Sequence, residues 1–343
     1  QAAEIVADIA TDIPTVKNGG IKRDGTVVTV NLRADVYWDS SPKRAVTAAD
    51  FVLGFKRLCN PTPNSVGAPS FYRDVFVGMD EYCDRFANVE PDVASIRRFI
   101  SENEIEGVRA EDEDTLVFTL TKPTADILNI LAMPFSSPAP VEYLDYLPDS
   151  NELRQNTIST GPYRISSYTP GQSYRLDINP AWDAASDPVR HQYVDAIEVT
   201  LGADATNSYQ QVMAGSADML WDSTVPVAAV AGLLADDDPR LGIYPSYSID
   251  PFVVLNTLSP NNDGALGKVD VRRALQYAID KVALGRIFGG PRLNKVLNQV
   301  IPPGNAGHEE FSLYETEGDR GNPDKCRQLL SEAGYPDGLV LKD

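Results

Sequence analysis

The sequence is poor in the residues that carry most nucleophilic and metal chemistry. Its 343 residues include only two histidines and three cysteines, and no segment matches GxSxG, HExxH or GxxxxGK[ST]. Neither His191 nor His308 lies near a serine or cysteine in a nucleophile motif, and no cysteines are spaced as zinc ligands. Catalysis by imidazole, P-loop or zinc therefore has little support. A hydrolase that uses only carboxylates stays open, because a catalytic pair cannot be picked out among 49 acids without a fold.

Long apolar runs and basic charge are also scarce. No apolar stretch approaches the roughly 18 residues of a membrane span, and Gln1 opens into an amphipathic segment instead of a signal peptide. With 30 basic and 49 acidic residues, the formal net charge is −19. A field of that sign repels nucleic acid and anionic lipid, so we expect no nucleic-acid partner. The acidic run at 102–114 lacks calcium-loop spacing, which indicates a solvated connection and no metal site.

The overall composition is that of a globular protein, and the mixture of strand-like and helix-like segments indicates the α/β class. Hydrophobic residues make up 43% and charged residues 23% of the chain. A chain of 343 residues exceeds one ordinary hydrophobic core, which favours two lobes. Up to about residue 250, strand-like and helix-like segments mix without a strict βαβ rhythm, so we expect mixed sheets and not one doubly wound domain.

Several segments carry clear local signals. Residues 27–32 and 114–120 alternate like half-buried strands, and two further strands meet at the turn sequence TPGQ. Thr47 and Asp50 form a potential capping box before a helix with an apolar face. That face comprises Phe51, Val52, Phe55 and Leu58.

The second half of the chain gives further predictions. A helix should end at Gly215 and lead into a strand, and 251–256 should be a strand buried on both faces. The segment 268–288 predicts the longest helix of the chain. Asn322, Pro323 and Gly334 are a cap, a first-turn proline and a terminating glycine for the last helix.

Two of the three cysteines are placed to form a disulfide. Cys59 and Cys83 flank one loop-like stretch, whereas Cys326 stands alone in a predicted helix. A bond between the first two would close a loop of about 25 residues, contribute roughly 3 kcal/mol and imply an oxidising compartment. The alternative is three unrelated buried thiols. We favour the disulfide, because both cysteines lie in the same surface excursion.

An ordered series of segments resembles the family 5 extracellular solute-binding proteins, which are receptors for oligopeptides, dipeptides and nickel. The series covers nearly the whole chain, and its order makes the resemblance specific although no single segment is. Its members are IVADIATDIPTVKNGGIKRDGTVVTVNLRADVYW, TAADFVLGFKRLCNP, DTLVFTLTKPTADILNILAMPFSSPAPVEYL, STGPYRISSYTPGQSYRLDINPAW, VDAIEVTLGADATNSYQQVMAGSADML, LNTLSPNNDGALGKVDVRRALQYAIDK, VIPPG and LLSEAGYPDG.

This resemblance implies a periplasmic-binding-protein-like fold of the class II, large peptide-binding type, with ligand enclosed between two hinged lobes. It implies secretion, usually with a lipid anchor, which strengthens the case for the Cys59–Cys83 disulfide. The family normally begins earlier and continues well past GYPDG. We therefore expect 1–250 to be a first lobe that lacks its start and 251–343 the beginning of a second lobe. The acidic residue that pairs with a peptide ammonium group would lie outside the sequence.

Three stretches are candidates to face the ligand cleft by their position against the family. A polar run after a strand end fits a cleft rim, so the stretch 221–223 is the best supported, and ordinary core packing is the alternative for each aromatic residue. The candidates are Phe71, Tyr72, Trp221, Asp222, Ser223, Tyr247, Phe252 and Asn256. Trp38, Trp182 and Tyr163 are interpreted as scaffold residues.

The sequence thus predicts a receptor without cofactor or enzymatic activity. It would capture peptides outside the cytoplasm and pass them, as a monomer, to the permease subunits of an ABC importer. Scarce histidine favours peptide over nickel. The alternatives are a receptor for an oligosaccharide or a chelated metal, a receptor for signalling peptides, and a secreted carboxylate hydrolase.

Overall fold

The structure is a computed structural model that describes residues 4–63, 68–243 and 252–341. It divides into two compact units, one comprising Glu4–Gly202 and the other containing Ala203–Asp343. The predicted lobe boundary at residue 250 falls within the second unit, and the assignment of lobes stays a prediction.

The first unit contains all the strands of the described residues. They are β1 (Val27–Asn31), β2 (Tyr37–Trp38), β3 (Arg44–Ala45), β4 (Val108–Ala110), β5 (Thr115–Thr119), β6 (Tyr163–Thr169), β7 (Ser173–Ile178) and β8 (Ala196–Thr200). They form a three-stranded sheet in the order β1-β5-β4, a β2-β3 ladder, and a second three-stranded sheet in the order β6-β7-β8. Every one of these described pairings is antiparallel.

Helices accompany the sheets in the first unit and are the main regular elements described in the second. Those of the first unit are α1 (Ala48–Arg57), α2 (Met79–Phe86), α3 (Val93–Glu102), α4 (Ile127–Leu131) and α5 (Asn151–Gln155). Those of the second are α6 (Ala205–Ala214), α7 (Val227–Ala235), α8 (Asn261–Gly264), α9 (Val269–Ala278), α10 (Lys281–Ile287) and α11 (Pro323–Glu332). The α/β composition predicted from the sequence is confirmed.

The two segments predicted as strands pair with each other in the first sheet, where β5 is the central strand and β1 an edge strand. Strands β1 and β5 align from Val27 opposite Thr119 to Asn31 opposite Thr115. Val28, Leu116 and Phe118 are buried on the inner face. Both predicted strands are therefore present, and β5 is covered on both faces at its centre, because Val117 on the opposite face is buried as well.

The capping box of α1 is confirmed. The backbone N–H of Thr47 donates to the carboxylate of Asp50 at 2.9 Å. Of the predicted apolar face, Phe55 and Leu58 are buried, whereas Phe51 and Val52 are only half-buried. The core therefore covers α1 fully at Phe55 and Leu58 but only partly at Phe51 and Val52.

An aromatic cluster lies at the centre of the first unit. The Phe55 ring of α1 contacts Tyr72, Phe76 and Phe118 edge-on at centroid distances of 5.5, 5.4 and 5.4 Å. Phe76 also contacts Phe118 at 5.2 Å. The cluster joins α1, the chain between α1 and α2, and strand β5 into one core.

The predicted disulfide is present. Cys59 and Cys83 are bonded, are 24 residues apart in sequence and are both buried, whereas Cys326 is a free thiol. The bond joins the C-terminal end of α1 to α2. It therefore closes the chain segment that contributes Tyr72 and Phe76 to the aromatic cluster.

The scaffold roles of three aromatic residues follow from their hydrogen bonds. Trp38 is buried, and its Nε1–H donates to Asp50. The indole of Trp182 is partly buried and donates to Asp187 at 2.8 Å. The hydroxyl of Tyr163 donates to the backbone carbonyl of Val194 at 2.8 Å and accepts from its N–H at 3.1 Å. The turn TPGQ joins β6 to β7 as predicted, and Gly171 there has φ 69°.

The prediction of one long helix over 268–288 is wrong. The helix ends at Ala278, Ile279 is extended, and Asp280 caps α10 by accepting from the N–H of Ala283 at 2.8 Å. A continuous helix would use the Tyr277 carbonyl for the N–H of residue 281. Here the N–H of Asn322 donates to that carbonyl at 2.6 Å, and the helix breaks.

Two strand predictions in the second unit are also wrong. The residues after Gly215 form bends, and residues 252–256 form no strand. Phe252, Val253 and Val254 are exposed, not buried on both faces. No strand is described within 203–243 and 252–341. An extended segment there therefore has no neighbouring strand with which to form backbone hydrogen bonds. The last helix is as predicted, since Asn322 accepts from the N–H of Lys325 at 2.9 Å.

We predict that replacing Cys59 and Cys83 together with alanine lowers the free energy of unfolding by about 3 kcal/mol, because the unfolded chain regains the entropy of the open loop. Urea denaturation monitored by circular dichroism measures this difference. The matched control is Cys326→Ala, which removes a thiol that closes no loop and should change stability by less than about 1 kcal/mol. Equal stability of the double variant and the control would contradict the prediction.

Candidate functional site

The chain between the two disulfide cysteines places one of two neighbouring aromatic rings at the surface and the other in the core. Residues Pro69–Phe71 form a short 3₁₀ helix, followed by Tyr72. Phe71 is 52% exposed, whereas Tyr72 is 0% exposed. The Tyr72 ring packs against Phe55, and its hydroxyl is 3.0 Å from Oγ of Ser136.

This burial corrects one of the two candidates in the stretch. Burial raises the pKa of the Tyr72 hydroxyl, and the hydrogen bond to Ser136 only partly opposes that shift. The neutral hydroxyl is satisfied within the core, and no ring surface is left for a ligand. Tyr72 is therefore an anchor for the loop. Phe71 remains a candidate, because its ring is exposed and the adjacent Tyr72 is anchored in the core.

The stretch 221–223 lies on the surface of the second unit. Trp221 is 47% exposed, and Ser223 is exposed as well. Asp222 is exposed in a bend with φ 49°, a conformation that few residues other than glycine, asparagine and aspartate adopt. The three residues offer an aromatic surface, a carboxylate and a hydroxyl.

The third candidate stretch is described only in part. Phe252 is 68% exposed. The side chain of Asn256 accepts from the backbone N–H of Leu258 at 3.0 Å, which fixes a turn after the extended segment. Tyr247 lies outside the described residues. The remaining candidates thus fall in both units: Phe71 lies in the first, and Trp221, Asp222, Ser223, Phe252 and Asn256 lie in the second.

Sequence reasoning missed a network of buried charge beside the N-terminus of α1. Asp50 is buried, and Arg44 donates to its two carboxylate oxygens at 3.0 and 3.1 Å. Arg44 also pairs with Glu142 at 3.0 Å, and Trp38 donates to Asp50 at 3.2 Å. Only the capping box signalled Asp50 in the sequence. Because every charge in this network is paired, we interpret it as structural.

The described residues hold no obvious metal site or membrane span. They contain no group of three or more His, Cys, Asp or Glu side chains that could hold a metal ion. None of the helices described is long and apolar enough to cross a bilayer.

The fold is that of a known class of binding protein. A clavulanic acid biosynthesis oligopeptide binding protein 2 superimposes with a TM-score of 0.74 at 26% identity, covering 97% of this chain and 56% of that one. The predicted class II, periplasmic-binding-protein-like α/β fold is confirmed by this likeness. The sequence also matches the profile of the bacterial extracellular solute-binding proteins, family 5, over residues 4–342. The chain belongs to this family.

The relatives of this chain have names that specify different ligands. The heme-binding protein A of Haemophilus influenzae is 26% identical over 327 residues, covering 93% of this chain and 53% of the relative. The dipeptide-binding protein of Escherichia coli is 26% identical over 330 residues, covering 94% and 54% respectively. The chain therefore spans about half the length of the curated relatives it matches.

The Arg44 network predicts a loss of stability in acid. The hydrogen bond from Arg44 holds the pKa of the Glu142 carboxyl below its usual range. A carboxyl whose pKa is lowered on folding stabilises the protein above its unfolded pKa, and that contribution disappears as the pH falls through the folded pKa. We expect Glu142→Gln to lose less stability than wild type when the pH is lowered from about 5 to about 3, by under about 1 kcal/mol because the carboxyl is partly exposed.

Urea denaturation at both pH values measures this effect. The matched control is Glu152→Gln, whose carboxylate is exposed and forms no ion pair among the described residues. The control should keep the wild-type acid dependence. An identical acid dependence of Glu142→Gln and wild type would argue against a coupling between Arg44 and Glu142.

Proposed function

We propose that the protein is an extracytoplasmic receptor that captures oligopeptides for uptake by an ABC importer. The match to the solute-binding family over residues 4–342 carries this proposal. Support for peptide as the ligand comes from relatives whose names specify it, including the dipeptide-binding protein at 26% identity. The family consists of binding proteins, which agrees with the scarcity of nucleophile motifs, and we propose no enzymatic activity.

The proposed mechanism is closure of two lobes on the ligand. We place the first lobe at 1–250 and the start of the second at 251–343. Ligand that contacts both lobes binds the closed state more tightly and shifts the population toward it. The permease subunits would recognise that closed, monomeric form. A lipid anchor or a periplasmic location would keep the receptor near the importer.

The proposed contacts suit a ligand with a polar backbone and varied side chains. The exposed rings of Phe71, Trp221 and Phe252 supply apolar surface at little cost in side-chain entropy. Asp222 can accept backbone N–H groups, and Ser223 can also donate. Asn256 and Tyr247 complete the proposed set. The net charge of −19 also attracts cationic peptides over anionic ones.

A second candidate ligand is haem, because the heme-binding relative is as similar to this chain as the dipeptide-binding one. The two ligands make different demands on the site. An iron porphyrin needs a flat apolar slot, whereas a peptide needs partners for its backbone amides. One experiment can therefore separate them.

Native mass spectrometry of the protein, purified without added ligand, tests the proposal. We expect a ladder of bound masses that fragment as short peptides and are released chemically unchanged. Hydrolysis of added peptide would support the carboxylate hydrolase instead. A ligand-free mass that shifts with haem, oligosaccharide or chelated metal but not with a mixed peptide digest would overturn peptide as the ligand class.

We also predict that Trp221→Ala weakens peptide binding about tenfold, which corresponds to about 1.4 kcal/mol for the loss of an aromatic contact. Its unfolding free energy should stay near that of wild type, because the indole is half exposed. Isothermal titration calorimetry with a peptide identified by mass spectrometry measures the affinity. Tyr193→Ala is the matched control, since this ring is 84% exposed and is not a proposed contact. Equal affinities of both variants would remove Trp221 from the site.

A further inference from the structure

An open groove runs between helix α1 and strand β4 in the first unit. Its volume is about 720 Å³. One wall is a stripe of α1, in which the lining residues recur at helical spacing. These residues are Ala49, Val52, Leu53 and Lys56. The groove contains none of the proposed ligand contacts.

The opposite wall is the edge of a sheet. Val108, Arg109 and Ala110 of β4 all line the groove. Arg109 and Ala110 are exposed, whereas the side chain of Val108 points into the core, so the groove meets β4 along its edge and not on one face. Strand β4 is the outermost strand of the β1-β5-β4 sheet, which agrees with this placement.

The backbone of this edge is only partly available for pairing: the outward N–H of Val108 already donates to the carbonyl of Ile105 at 3.0 Å, which leaves Ala110. Glu111 donates to Thr115, and Gly107 accepts from Thr119, both at 2.8 Å. In an antiparallel ladder every second residue bonds to the same neighbour, so residues 107, 109 and 111 of this edge face β5. The N–H and C=O of Ala110 therefore point away from β5, toward the groove. Such an edge is a template for an added strand.

The buried lysine of the groove is already satisfied. Nζ of Lys56 lies 2.8 Å from the Glu104 carboxylate and donates to the Ile100 carbonyl at 3.0 Å. Its charge is therefore neutralised within the protein. The apolar surface that the groove exposes comes from the α1 wall, where Ala49 is exposed and Val52 is half-buried, whereas Ile105 lies fully buried beneath. An incoming strand can place alternate apolar side chains against this wall.

The charge around the groove is negative. Glu106 lines it, and the turn that follows Ala110 has four exposed acids in sequence, at 111–114. This turn lies at the N-terminal end of α1, where the N–H of Ala48 donates to the carbonyl of Glu113 at 2.8 Å. Arg109 is the one exposed cation of the lining. A second copy of the chain, with a net charge of −19, would be repelled, whereas a basic segment would be attracted.

We propose that the groove between α1 and β4 docks an extended, basic segment of a partner protein, which adds as a strand to the edge of β4. Backbone hydrogen bonds to Ala110 set the register, Ala49 and Val52 of α1 contact alternate side chains, and the acids at 106 and 111–114 select for lysine and arginine. This surface is a second interaction site and does not depend on the identity of the transported solute.

The probe is a synthetic peptide of about eight alternating lysine and valine residues, a typical strand length, acetylated and amidated at its ends. Isothermal titration calorimetry should show binding that weakens at least about tenfold in Ala110→Pro, because proline removes the outward N–H but no bond to β5. Raising the salt from about 50 mM to about 500 mM should weaken binding as well, since the acids at the groove are exposed.

Thr200→Pro is the matched control, because Thr200 lies on the edge strand β8 of the other sheet. The N–H of Leu201 bonds to Gln172, so the N–H of Thr200 also points away from its sheet. Both proline variants should unfold like wild type in urea. Both should also keep their affinity for the solute found by mass spectrometry, which separates this proposal from the transport function.

Three results would overturn the docking proposal. Equal binding of the lysine peptide to Ala110→Pro and Thr200→Pro would place the probe elsewhere, for example in the solute site. Equal affinity for a matched peptide of alternating glutamate and valine would remove the charge argument. A dimer of the free protein in analytical ultracentrifugation, abolished by Ala110→Pro, would make a second copy the occupant.

Discussion

The packing of aromatic rings around Phe55 is the interaction on which the first unit depends. Phe55 lies on α1, Tyr72 and Phe76 lie in the disulfide-closed segment, and Phe118 lies on β5, so three separate parts of the chain meet in one cluster. Each ring pair adds about 1 kcal/mol beyond its area burial. The cluster also has a functional consequence. Because Tyr72 is turned inward as an anchor, the neighbouring Phe71 is presented at the surface on a fixed backbone.

Helix α1 carries two buried charges, and their pairing decides what its surfaces can do. Asp50 is surrounded by donors from Arg44, Trp38 and its own N-cap, and Lys56 is paired with Glu104. Unpaired, either charge would cost several kcal/mol of stability. Both charges are paired within the first unit. One face of α1 packs on the aromatic core, and another face forms the wall of an open groove. One helix thereby supports the fold and an interaction surface.

The second unit shows how a distant segment can override local preference. Residues 268–288 have the apolar periodicity of one helix, yet Asn322 takes the Tyr277 carbonyl and Asp280 starts a new helix. Gly321 permits this approach, because a side chain there would meet the carbonyl oxygens of Tyr277 and Ile279 at 3.0 Å. Asp280 is a local signal for the break, but the contacts of Gly321 and Asn322 come from more than 40 positions away and are not visible in any one window of the sequence. Family membership, by contrast, was evident from ordered local segments that match over residues 4–342.

The sequence by itself determined the features that rest on near neighbours along the chain. The capping box of Thr47 and Asp50 and the strands β1 and β5 follow from spacing and pattern over short separations, whereas the Cys59–Cys83 bond was favoured by a shared surface excursion and by the family resemblance. Tertiary structure decided the direction of side chains and the shape of surfaces. The burial of Tyr72 and the groove along β4 both depend on which segments pack together, and helical or strand periodicity gives no information about such long-range contacts.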